Sequence, residues 1–408
     1  TTYDAQAAGL GWSLSSSDDG LLLSVGGYND KLFLLLKQVV EPMVACLRRN
    51  SQCLWANPER FENIKDELKR GLENSKKSPP YTKAMEKIQQ LMKKRIWSVD
   101  RLLYELSLNT MDLDSVAEHV KHIFSRVYIE GFVHGNCEPQ QARRFLEEIA
   151  IALGSFPLPE EERDLQQVVK LEGGMVYAEP HSNPSDLNHA IELYYQTPKR
   201  GIDIDVRTAL LGAMASEPCF DQLRTKEQLG YLVACRSKPI SATYPPMING
   251  FGVLIQSSFK DPPQLDLSAR RFIDGFVTNM TSMPKEKFQA HKTALISQIE
   301  EKEVTISQET GRLWGEIIKK RYEWSRRKHL VEALKAVSLQ DMAKFSKELI
   351  DLNSHSLSSW IYGKARDVPD DQSIMLKGDV RQRIPSISDF KRSNPPYFPV
   401  EVPSSVTG

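Results

Sequence analysis

One order of elements occurs twice in this sequence, and internal repetition constrains the fold more than any local pattern. Near the start, "AGLGWSLSSSDDGLLLSVGGYND" reads as a helix end, Leu-Gly-aromatic, a strand, a turn at Asp18-Asp19-Gly20 and a second strand. Far downstream, "TKEQLGYLVACRSK", a longer loop and "NGFGVLIQSSFKDPP" repeat that order. Leu10-Gly11-Trp12 lines up with Leu229-Gly230-Tyr231, and "GLLLSV" with "GVLIQS". Each copy then enters a long amphipathic helix, "KLFLLLKQVVEPMVACL" or "QLDLSARRFIDGFVTNM". The second halves also match: helix, apolar strand, Gly-polar, with Gly135 opposite Gly363. Strands joined by short turns pair antiparallel, so the expected class is α+β: two homologous domains, each an antiparallel-rich sheet with helices packed on one face.

The boundary falls in "GSFPLPEEERD", which has two prolines, an acidic run and no apolar periodicity. The expected organisation is a first domain over 1–153, a linker over 154–165, a second domain over 166–366 and an irregular tail over 367–408. The second copy opens with strands of its own, "QQVVKLEGGMVYAEP" and "NHAIELYYQTP", that the first copy lacks. The chain also begins without Met and inside a patterned element. Both features predict that it belongs to a longer polypeptide whose leading strands and helix come before Thr1.

With 408 residues, 40% of them hydrophobic and 26% charged, the chain has the composition of a soluble protein with a sizeable core. Lys plus Arg balances Asp plus Glu at 53 each, which argues against nucleic acid or an anionic membrane as a partner. No apolar run approaches the ~18 residues of a membrane span. The five cysteines, Cys46, Cys53, Cys137, Cys219 and Cys235, follow no metal or disulfide pattern. Their sparse, odd number predicts reduced thiols in an intracellular, cytoplasmic setting.

Most candidates for chemistry fail on spacing. His119 and His122 sit three apart with no Glu between them. Zinc peptidases of the HExxH or inverted HxxEH type need two His on one helical face with a Glu beside the metal-bound water, and neither pattern occurs. His134 follows a strand, and His181, His189, His291, His329 and His355 are isolated. Cys219 and Cys235 have no sequence sign of an activating base and read as core filler. The charge-dense helices "ENIKDELKRGLENSKKSP", "ISQIEEKEVTISQET" and "EIIKKRYEWSRRKHL" read as solvated faces with i,i+4 pairs.

"SEPCFDQLRTKEQLGY" is different. The spacing predicts a break near Glu217-Pro218 and a second short helix ending at Gly230, with Pro218 in its first turn and Gly230 just past its end. Arg224 and Lys226 would complement that helix's dipole, and Tyr231 would open a strand. The same geometry permits a functional reading. Tyr231 leaves a rigid stop and Arg224 lies about two turns earlier, so a phenol and a guanidinium can face one space as two preorganised donors for a carbonyl oxygen acquiring charge.

These words, with "VHGN", "IELYYQT", "GFGVLIQS" and "LWGEII", resemble the M16 (inverzincin) metallopeptidases over residues 3–365, specifically the C-terminal half of the long, insulysin-like members. The resemblance implies four homologous α+β domains in two halves that enclose a chamber. It also implies a zinc held by HxxEH in the N-terminal half, where activated water attacks a peptide carbonyl. Arg224 and Tyr231 match the family's catalytic donors to substrate and oxyanion, and Phe220 matches the residue lining the pocket beyond the cleaved bond. No metal ligand is expected in this chain, which alone should bind no catalytic zinc and show negligible peptidase activity. The implied partners are the N-terminal half, peptide substrates and a second copy in a homodimer. A scaffold that kept the fold and lost the chemistry is the alternative. The loop "RSKPISATYPPMIN" is longer than the family's usual connection, and Trp12, in the Tyr231 position of the first copy, reads as structural.

Overall fold

A computed structural model of the chain describes residues 3–45, 57–108, 110–163, 165–243, 247–351, 355–363, 368 and 372–397. Cys46, Cys53 and the last stretch of the tail lie outside the described residues. The chain divides into two compact units, one made of residues 1–75, 98–165 and 305–314, the other of 76–97, 166–304 and 315–408.

In the first unit, β1 (Gly11–Ser17) and β2 (Gly20–Gly26) form an antiparallel hairpin around Asp18-Asp19. The helix Asn29–Ala45 follows and buries Leu35 and Val39 against Leu10. Phe33 of that helix stacks on Phe145 of the helix Pro139–Leu153, with ring centres 4.2 Å apart. The helix Leu113–Ser125 is started by Asp112, whose carboxylate accepts the Ser115 N–H at 2.8 Å. The apolar run after it was expected to be a strand, but only Arg126–Val127 pairs, with Phe156–Pro157. Extended backbone becomes a strand only where a neighbour takes its hydrogen bonds.

The second unit is built on a six-stranded sheet. Its strands are β3 (Gly173–Pro180), β4 (His189–Gln196), β5 (Leu232–Ser237), β6 (Gly250–Ser257), β7 (Ser356–Tyr362) and β8 (Gln382–Ile384), in the order β8-β3-β7-β4-β6-β5. The pairs β7–β4, β4–β6 and β6–β5 are antiparallel, whereas β7–β3 and β8–β3 are parallel. The duplication seen in the sequence is visible here: β5, antiparallel β6 and the helix Pro262–Thr278 repeat β1, β2 and Asn29–Ala45.

Two expectations need correction. Helices cover both faces of the sheet, not one. Ile191, Leu193 and Tyr195 of β4 join the core beneath helices Ile202–Cys219 and Pro262–Thr278, while Tyr194 packs with Ile88 and Leu91 of helix Pro80–Met92 on the opposite side. A central strand covered on both faces reads as a continuous apolar run, and "NHAIELYYQ" is close to one. The tail is also not irregular where it is described. Residues 382–384 add the edge strand β8, and Ile387–Ser393 is helical. Arg381, just before β8, is anchored in the interior by Asp266 at 2.5 Å and Asp379 at 2.8 Å. Asp266 also accepts from Arg270 at 2.8 Å and from the Trp360 indole at 3.2 Å. A buried carboxylate is tolerable only when paired and hydrogen-bonded, and this one is both.

Candidate functional site

The helix Ile202–Cys219 does not break at Pro218. It runs through it and widens into a π-helical turn over Phe220–Lys226. A proline inside a helix removes one rung of the ladder, and π-turns are frequent at functional sites. The wide turn is closed by Glu227 N–H to the Gln222 carbonyl at 2.9 Å and Leu229 N–H to the Leu223 carbonyl at 3.0 Å. Leu223 and Leu229 are fully buried beneath it.

The reversal that follows differs from the expected glycine stop. The left-handed residue is Gln228, at φ 52°, a conformation that is uncommon for a residue with a side chain. Gly230 answers a different requirement. A Cβ there would sit 1.9 Å from the Gln256 carbonyl oxygen of β6, so only glycine lets the chain pass that close. Gln256 also accepts the Tyr81 N–H through its side chain at 3.1 Å, which ties β6 to the start of helix Pro80–Met92. Two residues invisible to motif reading, Gln228 and Gln256, therefore set the direction in which Tyr231 emerges.

Tyr231 emerges into solvent, 85% exposed, and Phe220 is 44% exposed. Arg224 is partly buried between them in sequence and meets both: its guanidinium carbon lies 4.6 Å from the centre of each ring. In the π-turn Phe220 and Arg224 share one face, and the Gly230 passage brings Tyr231 back to it. Phe220, Arg224 and Tyr231 thus form one exposed cluster. Around it, Lys226 pairs with Asp221 at 2.7 Å and Gln222 donates to Glu227 at 3.0 Å.

Cys219 and Cys235 bracket the cluster and are joined by a disulfide, with Cα atoms 6.2 Å apart. The expectation of reduced thiols is corrected at this pair. Residues 16 apart in sequence end up on a helix end and the adjacent strand, at a separation a disulfide spans. Cys137 is free. Two of the histidines have ordinary structural partners. His134 meets Thr310 at 2.7 Å, and His181 meets the Ser78 carbonyl at 2.8 Å. Among the described residues no group of three or more His, Cys, Asp or Glu is placed to hold a metal ion, so these residues do not fit a zinc site. No helix among them is long and apolar enough to cross a membrane.

With this geometry in hand, comparison with known proteins places the fold. Residues 1–105 match the model of the middle or third domain of peptidase M16, and residues 210–314 match the C-terminal lobe domain 4 of PqqF-like PQQ synthase. The chain is 31% identical to insulin-degrading enzyme-like 1, peroxisomal, of Arabidopsis thaliana over 96% of its own length and 40% of the relative's. It is 30% identical to insulin-degrading enzyme of Homo sapiens, over 98% of this chain and 40% of that one. The crystal structure of pitrilysin superposes with a TM-score of 0.79 at 18% identity, covering 97% of this chain and 40% of pitrilysin. Fold and sequence together define an α+β chain of the M16 type. The chain belongs to the peptidase M16 family, and it spans about 40% of the length of the insulin-degrading-enzyme relatives it matches.

Proposed function

We propose that this chain is the C-terminal half of an insulysin-like zinc metalloendopeptidase and forms one wall of an enclosed peptide-degrading chamber. In this reading Arg224 and Tyr231 donate hydrogen bonds to the substrate and to the carbonyl oxygen as it gains charge. Phe220 offers an apolar surface to the residue beyond the scissile bond. The observation that carries the reading is the single exposed cluster in which the Arg224 guanidinium lies 4.6 Å from both rings. Preorganised donors in a water-poor site stabilise developing charge at no reorganisation cost. The zinc belongs, in this proposal, to the N-terminal half of the same protein, because the residues here do not fit one. When bound there it would supply the activated water, and this chain's part is to bind and orient the peptide.

The proposed substrates are peptides small enough to be enclosed, and the proposed partners are the N-terminal half and a second copy in a homodimer. An intracellular, cytoplasmic site is retained as the proposal, and the Cys219–Cys235 bridge is the feature that pulls against it. The rival reading is a scaffold without chemistry. A guanidinium held by two rings at an exposed face, with no anion among the described residues, favours the enzyme, since a scaffold has no use for it.

The test compares peptide hydrolysis by this chain alone, by the parent protein carrying all four domains, and by the parent with Arg224→Met. The account expects no turnover from the chain, turnover from the parent, and a loss on the order of 10² in the variant. An Arg224→Met parent that hydrolyses peptides at the normal rate contradicts it.

A further inference from the structure

Among the described residues Arg224 has aromatic neighbours but no anion. Among the described residues none of its N–H groups finds an oxygen acceptor, and no carboxylate pairs with it; its contacts are the Phe220 and Tyr231 rings. The two acids nearest in sequence are otherwise engaged, Asp221 with Lys226 at 2.7 Å and Glu227 with Gln222 at 3.0 Å. Other partly buried guanidiniums in the same unit do have carboxylates: Arg270 with Asp266 at 2.8 Å, Arg321 with Glu316 at 2.9 Å, and Arg326 with Glu323 at 2.7 Å. An arginine that two rings orient, and whose forked donors are unused, is a receptor for a planar oxyanion.

We propose that Arg224, held against the Tyr231 ring, binds a peptide carboxylate, and that cleaved peptides with a new C-terminal carboxylate are its ligands. The inference rests on the reading of this cluster as peptide-facing and adds a ligand class to it. The chemistry follows from hydrolysis itself. The carbonyl oxygen that the donors would meet in a peptide bond becomes one of two oxygens of a carboxylate after cleavage. A neutral carbonyl offers the guanidinium fork one oxygen, whereas a carboxylate offers two and a full charge, so the charge-assisted bidentate contact is the stronger. The product would then be held more tightly than the peptide bond it came from, and product release would compete with substrate entry. An acidic side chain presents the same chemistry, so the proposal covers a peptide carboxylate from either source, with the C-terminal one expected first.

The test needs no metal and no activity. The 408-residue chain, with 15N-labelled arginine, is titrated with three synthetic peptides of otherwise identical sequence while the Arg224 side-chain resonances are followed. One has no acidic residue and a free C-terminus, one has the same sequence amidated, and one is amidated with an internal Glu. The free acid should shift Arg224 saturably in the millimolar range, as expected of a solvent-facing pair, and at least about tenfold more tightly than the neutral amide. Binding by the Glu peptide assigns side-chain carboxylates as a second source. Arg224→Lys, which keeps the charge and loses the fork, should weaken the free acid about tenfold. Equal binding of acid and neutral amide, binding of none of the three, or an unchanged affinity in Arg224→Lys overturns the proposal. Failure here leaves the turnover experiment intact. Likewise, a parent protein indifferent to loss of the Tyr231 hydroxyl leaves this titration to be judged by itself.

Discussion

The guanidinium carbon of Arg224 lies 4.6 Å from the centre of the Tyr231 ring, across a reversal of only six intervening residues. Three local devices bring them together: the π-turn that widens the helix after Pro218, the left-handed Gln228, and Gly230 pressed against β6. Each makes the cluster sensitive to changes that touch neither side chain.

Gly230→Ala is the sharpest of these. The added methyl would overlap the Gln256 carbonyl oxygen at 1.9 Å, so either β6 or the reversal has to move. Overpacking of this kind costs about 1–3 kcal/mol. Denaturant unfolding should show that loss, and Tyr231 should leave the Arg224 guanidinium. An alanine variant with native stability contradicts the assignment of Gly230 to close approach.

The disulfide makes a second prediction. Closing a loop of this length restricts the unfolded chain and stabilises the fold by about 3 kcal/mol. Cys235→Ser, or a dithiol reductant on the unaltered chain, should therefore lower the unfolding midpoint by similar amounts. Free-thiol titration checks the premise: Cys219 and Cys235 should be unreactive until reduced, and reactivity of both without reductant contradicts the pairing.

Much of the fold was legible in the sequence because strands, turn glycines and amphipathic helices leave local periodic signals. The repeated Leu-Gly-aromatic start, the hairpin and the long helix that follows are found where the sequence puts them. What was not legible depends on partners far away in sequence. Nothing in the helical patterning of "PYTKAMEKIQQLM" announces that the helix Pro80–Met92 covers the sheet of the second unit, and nothing in the tail announces that Arg381 reaches Asp266. The cluster was partly readable. Arg224 and Tyr231 stood out by residue type and position, but the sequence suggested a helix break at Pro218 and a glycine turn at Gly230. The structure instead has a continuous helix, a π-turn and a left-handed glutamine. The Cys219–Cys235 bridge could have been suspected only from the strand and helix that flank it.

The buried tail anchor gives a pH dependence. Burial alone would push the Asp266 carboxyl up, but the Arg381 and Arg270 guanidiniums outweigh it and hold it below the usual carboxylate range. Asp379, beside the same arginines, is also held low. A carboxyl lowered by folding adds stability that is present above the unfolded value of about 4 and is lost as pH falls through the folded one. Stability should therefore be flat near neutrality and decline below about pH 4. Asp266→Asn should remove up to about 3–5 kcal/mol, because it takes from buried Arg381 one of its two carboxylate partners and leaves Asp379 alone to pair with it. Equilibrium unfolding between pH 7 and pH 3 reads both effects, and an asparagine variant as stable as the unaltered chain contradicts the anchor.

The most direct test of the central claim is the turnover of the parent protein carrying Tyr231→Phe. That change removes one hydroxyl from an exposed ring and leaves the ring's contact with Arg224 in place. The account predicts kcat on a peptide reduced on the order of 10²–10³, with an unchanged unfolding midpoint. A Tyr231→Phe enzyme that turns over at the normal rate would contradict it.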